Sequence, residues 1–500
     1  ILFLARDRMG EKPLYYGWQG DSFIFGSELK AFKSHPSFLS RINRSAITLL
    51  LRHNYIPAPY SIYENIYKLE PGCIFAMDIP TRRESLTSYW SLAKVALQDT
   101  RSISDSDAID ELHGLIKNAI GQQVIADVPL GAFLSGGIDS STVVAIMQSM
   151  SSRPVKTFTI GFHESGYNEA TYAKQIAEYL GTEHSELYVS PEQALAVIPM
   201  LPSLYDEPFS DSSQIPTYLV SSLAREHVTV SLSGDAGDEL FGGYSRYIAA
   251  AQWWKYFSRC PSVIRSFAAI TDDMLSRSTW INDRASVLEF SLRRNLCRRG
   301  RKTLSMLQYD NISSFYQQFV SHWIKPESIV IGASEPSTIF TKSPIDLSDA
   351  QLQMQLLDSL SYLPDDILVK VDRAAMGVSL ESRIPFLDHR IIEFAWSLPL
   401  EMKIRHGQGK WILRQVLKKY IPDVLFDRPK MGFGVPIDNW LRGPLRDWAE
   451  ALLDESRIRS EGFLNYKPIR NKWSEHLSGR ANHQYLLWDV LMFQSWLEQE

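Results

Sequence analysis

The sequence predicts an α/β protein: a parallel sheet covered by helices on both faces, extended by helices and preceded by a β-rich segment. Three observations carry this. From about Ile109 to Asp235, apolar runs of strand length alternate with helical patterns. Beyond about residue 250, helical patterns dominate, with many Trp and Tyr. Residues 1–90 carry short runs of aromatic and branched residues separated by turn chemistry.

Taken in order, "ILFLA", "PLYYGW", "SFIFGS" and "CIFAMDI" read as strands, with "RDRMGEK", "QGD" and "EPG" as turns between them. Residues 91–106 dissolve into "QDTRSISDSD", a linker by composition. "AIDELHGLIKNAI" then has apolar residues at helical spacing. "GAFL" is a strand running into Ser135-Gly136-Gly137. There follow "VKTFTIGF" (strand), "NEATYAKQIAEYLG" (helix ending on Gly181), "SELYVS" (strand), "IPTYLVSSLAREH" (helix) and "VTVSLSGD" (strand). The expected domains are therefore 1–90, a linker over 91–106, and 107–500.

The 500 residues are enough for two or three domains at roughly 100–200 residues each. Apolar residues make up 45% and charged residues 22%, an ordinary globular balance. A net charge of −5 gives no basic field to recruit nucleic acid. No apolar run approaches the ~20 residues that span a bilayer. Cys73, Cys260 and Cys297 match neither a zinc knuckle nor a disulfide framework, which predicts a reducing, cytoplasmic setting.

Two loops carry the chemistry. In "LGAFLSGGIDSSTVVAIM", Gly136 and Gly137 let backbone N–H groups approach an anion with no Cβ in the way. The helix starting near Asp139 adds its positive end. Ser135, Ser140 and Ser141 add hydroxyls. No lysine follows as in a Walker loop; an acid stands in its place. Asp139 beside phosphate is accounted for by an intervening Mg²⁺, and the plainer alternative is a helix cap after a glycine turn. The second loop, "VTVSLSGDAGDELFGGY", places Asp235, Asp238 and Glu239 after Ser233 and Gly234. Loops at the carboxyl ends of neighbouring parallel strands converge on one crevice. Asp238 then shares the metal with Asp139, and Asp235 is left for acid–base work; alone, this loop reads as a solvated acidic turn.

Farther on, "LPDDILVKVDRAAMGVSLESRIPFLDHR" holds Lys370, Arg373, Glu381, Arg383 and Asp388. They form either a helix with salt bridges or a pocket for a zwitterionic substrate. "GQGKWILRQ" brings Lys410 and Arg414 after a glycine turn, where a lysine can hold pyrophosphate. "RPKMGFGVP" is a further Gly/Pro loop, equally a surface turn.

Together, S-G-G-I-D-S-S, "DEPFSDSSQIPTY", "SGDAGDELFGGY", "DDILVKVDRAAM", "ESRIPFLDHR", "GKWILRQ" and "RPKMGFGVP" resemble, in order, the blocks of glutamine-hydrolysing asparagine synthetases. The resemblance implies a carboxyl-terminal ATP-pyrophosphatase domain, adenine nucleotide alpha hydrolase-like in fold, that adenylates aspartate and passes the β-aspartyl-AMP to ammonia. It implies an amino-terminal glutaminase of the N-terminal-nucleophile type (class II), joined to it by an ammonia tunnel.

On that resemblance, Ser135, Gly136, Gly137, Ser140 and Ser141 correspond to the pyrophosphate loop, and Asp139 and Asp238 to the Mg²⁺ ligands. Phe133 or Leu134, Ile160, and Ser233 with Gly234 correspond to the walls around adenine and ribose. Lys410 corresponds to the lysine that stabilises the intermediate and pyrophosphate. Asp235 stands where many members have a glutamate for adenylate formation and the ammonia proton. The expected partners are ATP, aspartate, and ammonia or glutamine, with no nucleic acid and no membrane, and with a homodimer as an open alternative to a monomer.

Two departures shape the expectation. Asp235 is one methylene shorter than glutamate, which keeps open other acceptors, such as a sugar acid in surface-polysaccharide synthesis or the substrate of a β-lactam synthetase. The family's nucleophile is an amino-terminal cysteine, and no cysteine precedes Cys73. The chain, opening on Ile1, is therefore expected to be amino-terminally incomplete and to use free ammonia. A remnant with a decayed site is disfavoured by the intact loops, and a tRNA-modifying enzyme by the missing basic patches and catalytic cysteines.

Overall fold

The computed structural model describes residues 1–162, 168–261, 306–307, 309–342, 345–428 and 434–500. They divide into two compact units, one of residues 1–243, 322–336 and 358–500, the other of residues 244–321 and 337–357.

In the larger unit, residues 1–90 form β1 (Leu2–Ala5), β2 (Tyr15–Gln19), β3 (Ser22–Gly26), β4 (Ile66–Lys68), β5 (Cys73–Asp78) and β6 (Arg83–Ser88). They make two three-stranded sheets, ordered β1-β5-β6 and β3-β2-β4, antiparallel throughout. Alternation places Cys73, Phe75 and Met77 of β5 inward with Leu4 and Leu69. The four runs read as strands in the sequence are β1, β2, β3 and β5. A helix, Arg44–His53, also lies in this segment, with Ala46–His53 buried. Its ends are written in the sequence. Asn43 caps the start by accepting from the N–H groups of Ser45 and Ala46, and Asn54 ends it in the left-handed conformation at φ +67°. Within 91–106, Ser91 caps a short helix, Leu92–Ala96, and Ser104 caps the long helix Asp105–Gln123.

The expected parallel sheet is present. It contains β7 (Leu130–Phe133), β8 (Lys156–Phe162), β9 (Glu183–Val189), β10 (Val230–Leu232) and β11 (Glu381–Arg383). The order is β11-β10-β7-β8-β9, every pair parallel. β8 is buried along nearly its whole length, as expected of a strand covered on both faces. From β7 the chain adds β8 and β9 on one side, then returns to place β10 and β11 on the other. The reversal leaves a crevice outside the carboxyl ends of β7 and β10. Both sequence-predicted loops leave from those two ends.

Residues 1–90 are packed into the same unit by buried charge. Lys68 pairs with Glu207, both side chains at most 7% exposed. Arg373 binds Asp206 at 3.0 Å and Glu28 at 3.1 Å and donates to the Ser27 carbonyl at 2.8 Å.

The smaller unit contains the helices Ser245–Phe257, Ile312–Val320 and Ile339–Lys342. Its core gathers Tyr247, Phe257, Phe315, Tyr316 and Phe340, in keeping with the expected aromatic-rich helical region. Arg246 Nε donates to the Tyr316 hydroxyl at 2.9 Å.

Arg373 neutralises Asp206, whose side chain is fully buried. Arg373→Met is expected to destabilise the protein by roughly 3–5 kcal/mol, because it leaves a buried carboxylate without its guanidinium. Adding Asp206→Asn should restore part of the loss. Urea denaturation measures both, and an unshifted midpoint for the single variant would contradict this placement.

Candidate functional site

β7 hands over to the loop Ser135–Gly137 and the helix Ile138–Met150. Leu134 N–H still donates to the Phe158 carbonyl at 2.9 Å, holding the residue before the loop to β8. Gly136 sits at φ +73°, where a Cβ would press on the Ala173 amide at 2.9 Å, so glycine is required twice over. The loop is tied internally: Ser135 N–H donates to Ser140 Oγ at 3.2 Å, and Gly137 N–H to Ser135 Oγ at 3.3 Å. Gly137 is the N-cap and offers no side-chain acceptor to the first turn. The helix thus begins with N–H donors that no capping side chain takes up. The Ser141 hydroxyl is buried and has no hydrogen-bond partner among the described residues.

The loop after β10 lies against this helix start. A Cβ on Gly234 would come within 2.6 Å of the Ser140 amide nitrogen. One on Gly237 would strike the Asp139 carboxylate, and one on Gly243 would strike both Asp238 and the Lys410 chain. The two carboxylates meet at Lys410. Its Nζ forms an ion pair with Asp139 Oδ2 and lies 2.7 Å from Asp238 Oδ1. The lysine is aimed by its backbone: it occupies the left-handed region at φ +58°, caps the helix Trp411–Leu417, and donates its N–H to the Phe241 carbonyl at 2.9 Å. Burial alone would lower the pKa of Lys410, but the charges of Asp139 and Asp238 hold it above the ordinary lysine value. Arg414, one turn on, braces the Gly409 carbonyl at 3.2 Å and Asp427 at 2.9 Å.

Asp235 lies in the same loop, bonded to the Ser233 hydroxyl. Burial raises its pKa, against the opposing pull of Ser233 and of the Lys370 charge, and the Asp238 charge raises it further. Lys370 is buried and bound to Asp211 Oδ2 at 2.7 Å. Phe133 ends β7, and Ile160 is buried on the neighbouring β8.

The structure does not bring all candidate residues together. Arg373 is committed to Asp206, Glu28 and Ser27, as described. Glu381 pairs in register with Val230, at the start of its strand and thus at the far end from the loops. It binds Arg383 at 2.7 Å, whose guanidinium also donates to the Gln123 and Ile125 carbonyls at 2.6 and 3.0 Å. Asp388 caps the helix His389–Ser397. Of "RPKMGFGVP", Pro429–Phe433 lie outside the described residues; Arg428 stacks on Tyr172 at 3.8 Å and lies 3.4 Å from the Ser135 carbonyl. The residues around Lys370, namely Asn54, Asp211 and Asp366, were not singled out from the sequence. Only "LPDD", with two acids ahead of a lysine in an apolar helix, offered a signal.

Because Gly243 touches both Asp238 and Lys410, Gly243→Ala should wedge the pair apart. Overpacking of this kind is expected to cost about 1–3 kcal/mol, read as a lowered denaturation midpoint. A midpoint at or above that of the parent would show that the contact is not as close as described.

Comparison with known proteins accords with this geometry. The asparagine synthase family model matches residues 111–498, and a glutamine amidotransferase domain model matches residues 1–90. The chain is 30% identical over 498 residues to asparagine synthetase [glutamine-hydrolyzing] 1 of Bacillus subtilis, covering 99% of this chain and 75% of that protein. It is 32% identical over 503 residues to a putative asparagine synthetase [glutamine-hydrolyzing] of Mycobacterium tuberculosis, covering 99% of this chain and 74% of that protein. A more distant relative, at 24% identity over 515 residues (93% of this chain and 72% of that protein), is the amidase chyE of Penicillium rubens. No described helix is long and apolar enough to cross a membrane. The two loops, the ion triad at Lys410 and these matches converge on one conclusion: the chain belongs to the glutamine-hydrolysing asparagine synthase family, carbon–nitrogen ligases that use ATP to amidate a small-molecule carboxylate.

Proposed function

We propose that the chain converts L-aspartate to L-asparagine through β-aspartyl-AMP, releasing AMP and pyrophosphate. The observation that carries this reading is the convergence of Asp139, Asp238 and Lys410 beside the Ser135–Gly137 loop, with Asp235 half-buried in the adjoining turn.

An amide cannot form directly from a carboxylate and ammonia at neutral pH, because an oxide or hydroxide would have to leave. Activation solves this. A side-chain carboxylate oxygen of aspartate attacks the α-phosphorus of ATP, the bond to the bridging oxygen breaks, and pyrophosphate departs. Negative charge builds on the leaving group where the glycine loop, the uncapped helix start and Lys410 are already in place. Ammonia then adds to the acyl carbon. The tetrahedral species loses a proton to Asp235 and expels AMP. The walls for adenine and ribose are Phe133, Leu134, Ile160, Ser233 and Gly234.

The residues present fit Mg²⁺. Two carboxylates converge on one buried cation, the ammonium of Lys410, and offer the hard oxygen donors that this ion prefers. Among the described residues no group of three or more His, Cys, Asp or Glu forms a complete protein cage. Asp139 and Asp238 would hold the ion, which when bound would neutralise phosphate charge.

Residues 1–90 are the part of this scheme that belongs to the amidotransferase, and 107–500 the ligase. A cytoplasmic setting is supported by the free thiols of Cys73 and Cys260. A second reading changes the acceptor alone: Asp235 is shorter than glutamate, which leaves room for a different carboxylate.

ATP–pyrophosphate exchange with a panel of carboxylates decides between the acceptors. Aspartate should stimulate exchange most, and preference for a sugar acid would replace this reading with the second. Asp139→Asn and Asp238→Asn should each raise the Mg²⁺ concentration needed for turnover; near-normal activity at limiting Mg²⁺ would remove that residue from the ligand set. Asp235→Asn should lower amide formation from ammonia by roughly 10²–10⁴-fold while exchange falls much less, with AMP still released by hydrolysis of the adenylate. Asp235→Glu should keep most amide formation. Equal loss of exchange and amidation in Asp235→Asn would assign the residue to adenylation instead.

A further inference from the structure

The amidotransferase-matched segment reaches the ligase site through a chain of buried and half-buried side chains. Lys370, whose charge acts on Asp235, is held by Asp211 at 2.7 Å. Asp211 also accepts from the N–H and hydroxyl of Ser213, each at 2.8 Å. On its other side, Asp211 lies against the carboxyl of Asp366, whose Oδ1 is buried and receives no hydrogen bond from a donor among the described residues. Asp366 is fully buried, and its Oδ2 accepts from Asn54 Nδ2 at 2.8 Å. Asn54 lies in the segment 1–90, and its carbonyl is gripped by Ser210 through both N–H (2.9 Å) and hydroxyl (3.0 Å).

Two adjacent carboxyl groups cannot both be ionised in a buried site, and a buried carboxyl oxygen that no donor reaches is costly as a carboxylate; one of the two must carry a proton and donate it. The surroundings say which. Asp211 faces Lys370 and two Ser213 donors, all favouring a carboxylate. Asp366 faces a neutral amide and the Asp211 charge, with Lys370 farther off, and lies among Tyr55, Tyr205 and Asp365. Asp365 is turned to the Ala58 N–H at 2.9 Å. Asp365 and Asp366 both lie on the wide single turn Leu363–Ile367, which gives these successive acids different partners.

We propose that Asp366 is a neutral carboxylic acid which, anchored by Asn54, donates its proton to the Asp211 carboxylate and so positions Lys370 beside Asp235. Asn54, Asp366 and Asp211 are positioning residues for the amide-forming step. The segment 1–90 therefore contributes to the ligase site itself, independently of any ammonia it supplies. This rests on the reading of Asp235 as the group that takes the ammonia proton.

The experiment compares the ratio of amide formation from ammonia to ATP–pyrophosphate exchange in the full chain. Asn54→Gly is the cleanest probe, because glycine accepts φ +67° and keeps the carbonyl that Ser210 holds while deleting the amide. It should lower the ratio by about 2- to 12-fold, the worth of one hydrogen bond. Asp366→Asn is isosteric with the neutral acid and can still accept from Asn54 and donate to Asp211, so it should preserve the ratio. An infrared difference spectrum between the parent and Asp366→Asn at neutral pH should show a protonated-carboxyl stretch in the parent alone. An unchanged ratio in Asn54→Gly, a ratio lost in Asp366→Asn, or absence of that band overturns the inference. Asp235→Asn, run alongside, separates the two failures. If its ratio collapses while any of those results appears, only the positioning role falls. If its ratio is intact, the proton-accepting role of Asp235 falls and positioning for it falls too, whereas the neutral state of Asp366 is still decided by the infrared band.

Discussion

Everything at the ligase end of the sheet depends on one buried ammonium shared by two carboxylates. Asp139 begins the helix after β7, Asp238 the turn after β10, and Lys410 caps a helix far along the chain. Without the lysine, two carboxylates would face each other in a poorly solvated crevice, an arrangement that proteins avoid by protonation or by a cation. The triad therefore fixes the distance between two loops that no backbone ladder connects. The glycines around it, Gly234, Gly237 and Gly243, follow from the same constraint, since a Cβ at any of them would displace a member of the cluster or the helix start beside it.

Three further pairs of opposite charge are buried in the same unit. Lys370 with Asp211, Lys68 with Glu207, and Arg373 with Asp206 are each nearly or fully removed from water. Buried pairs of this kind contribute less to stability than hydrophobic replacements would, but they tolerate few alternative arrangements. Here two of the three, Lys68–Glu207 and Arg373–Asp206 with its Ser27 and Glu28 partners, tie residues 1–90 to the rest of their unit, and the third adjoins Asp235. The amidotransferase-matched segment is thereby built into the same electrostatic framework as the ligase crevice, with Asn54 at the point of contact.

Local signals were readable where backbone chemistry is local. The S-G-G loop, the helix start after it, the helix ending on Gly181 and the strands β1, β2, β3 and β5 follow from rules that act over a few residues. The helix Arg44–His53 lies in a segment whose short aromatic and branched runs point to strands, and its ten residues are too few for a helical period to stand out among them. The charged cluster from Lys370 to Arg383 was read as one group, yet its members point to different tasks: Lys370 toward Asp211, Arg373 toward Asp206, and Arg383 toward the carbonyls of Gln123 and Ile125.

By itself, the sequence determined the α/β class, the two glycine-bearing loops and the residue types able to meet phosphate and a hard cation, because helix starts, strand alternation and left-handed turns are decided by neighbours in the chain. Only the tertiary structure decided that Lys410 stands between Asp139 and Asp238, that Glu381 faces the wrong end of the sheet, and that Asn54 reaches Asp366. Those contacts join residues more than a hundred positions apart. They depend on strand order, on the reversal at β7 and β10, and on which charges must be buried together, and none of these leaves a periodic mark in the sequence.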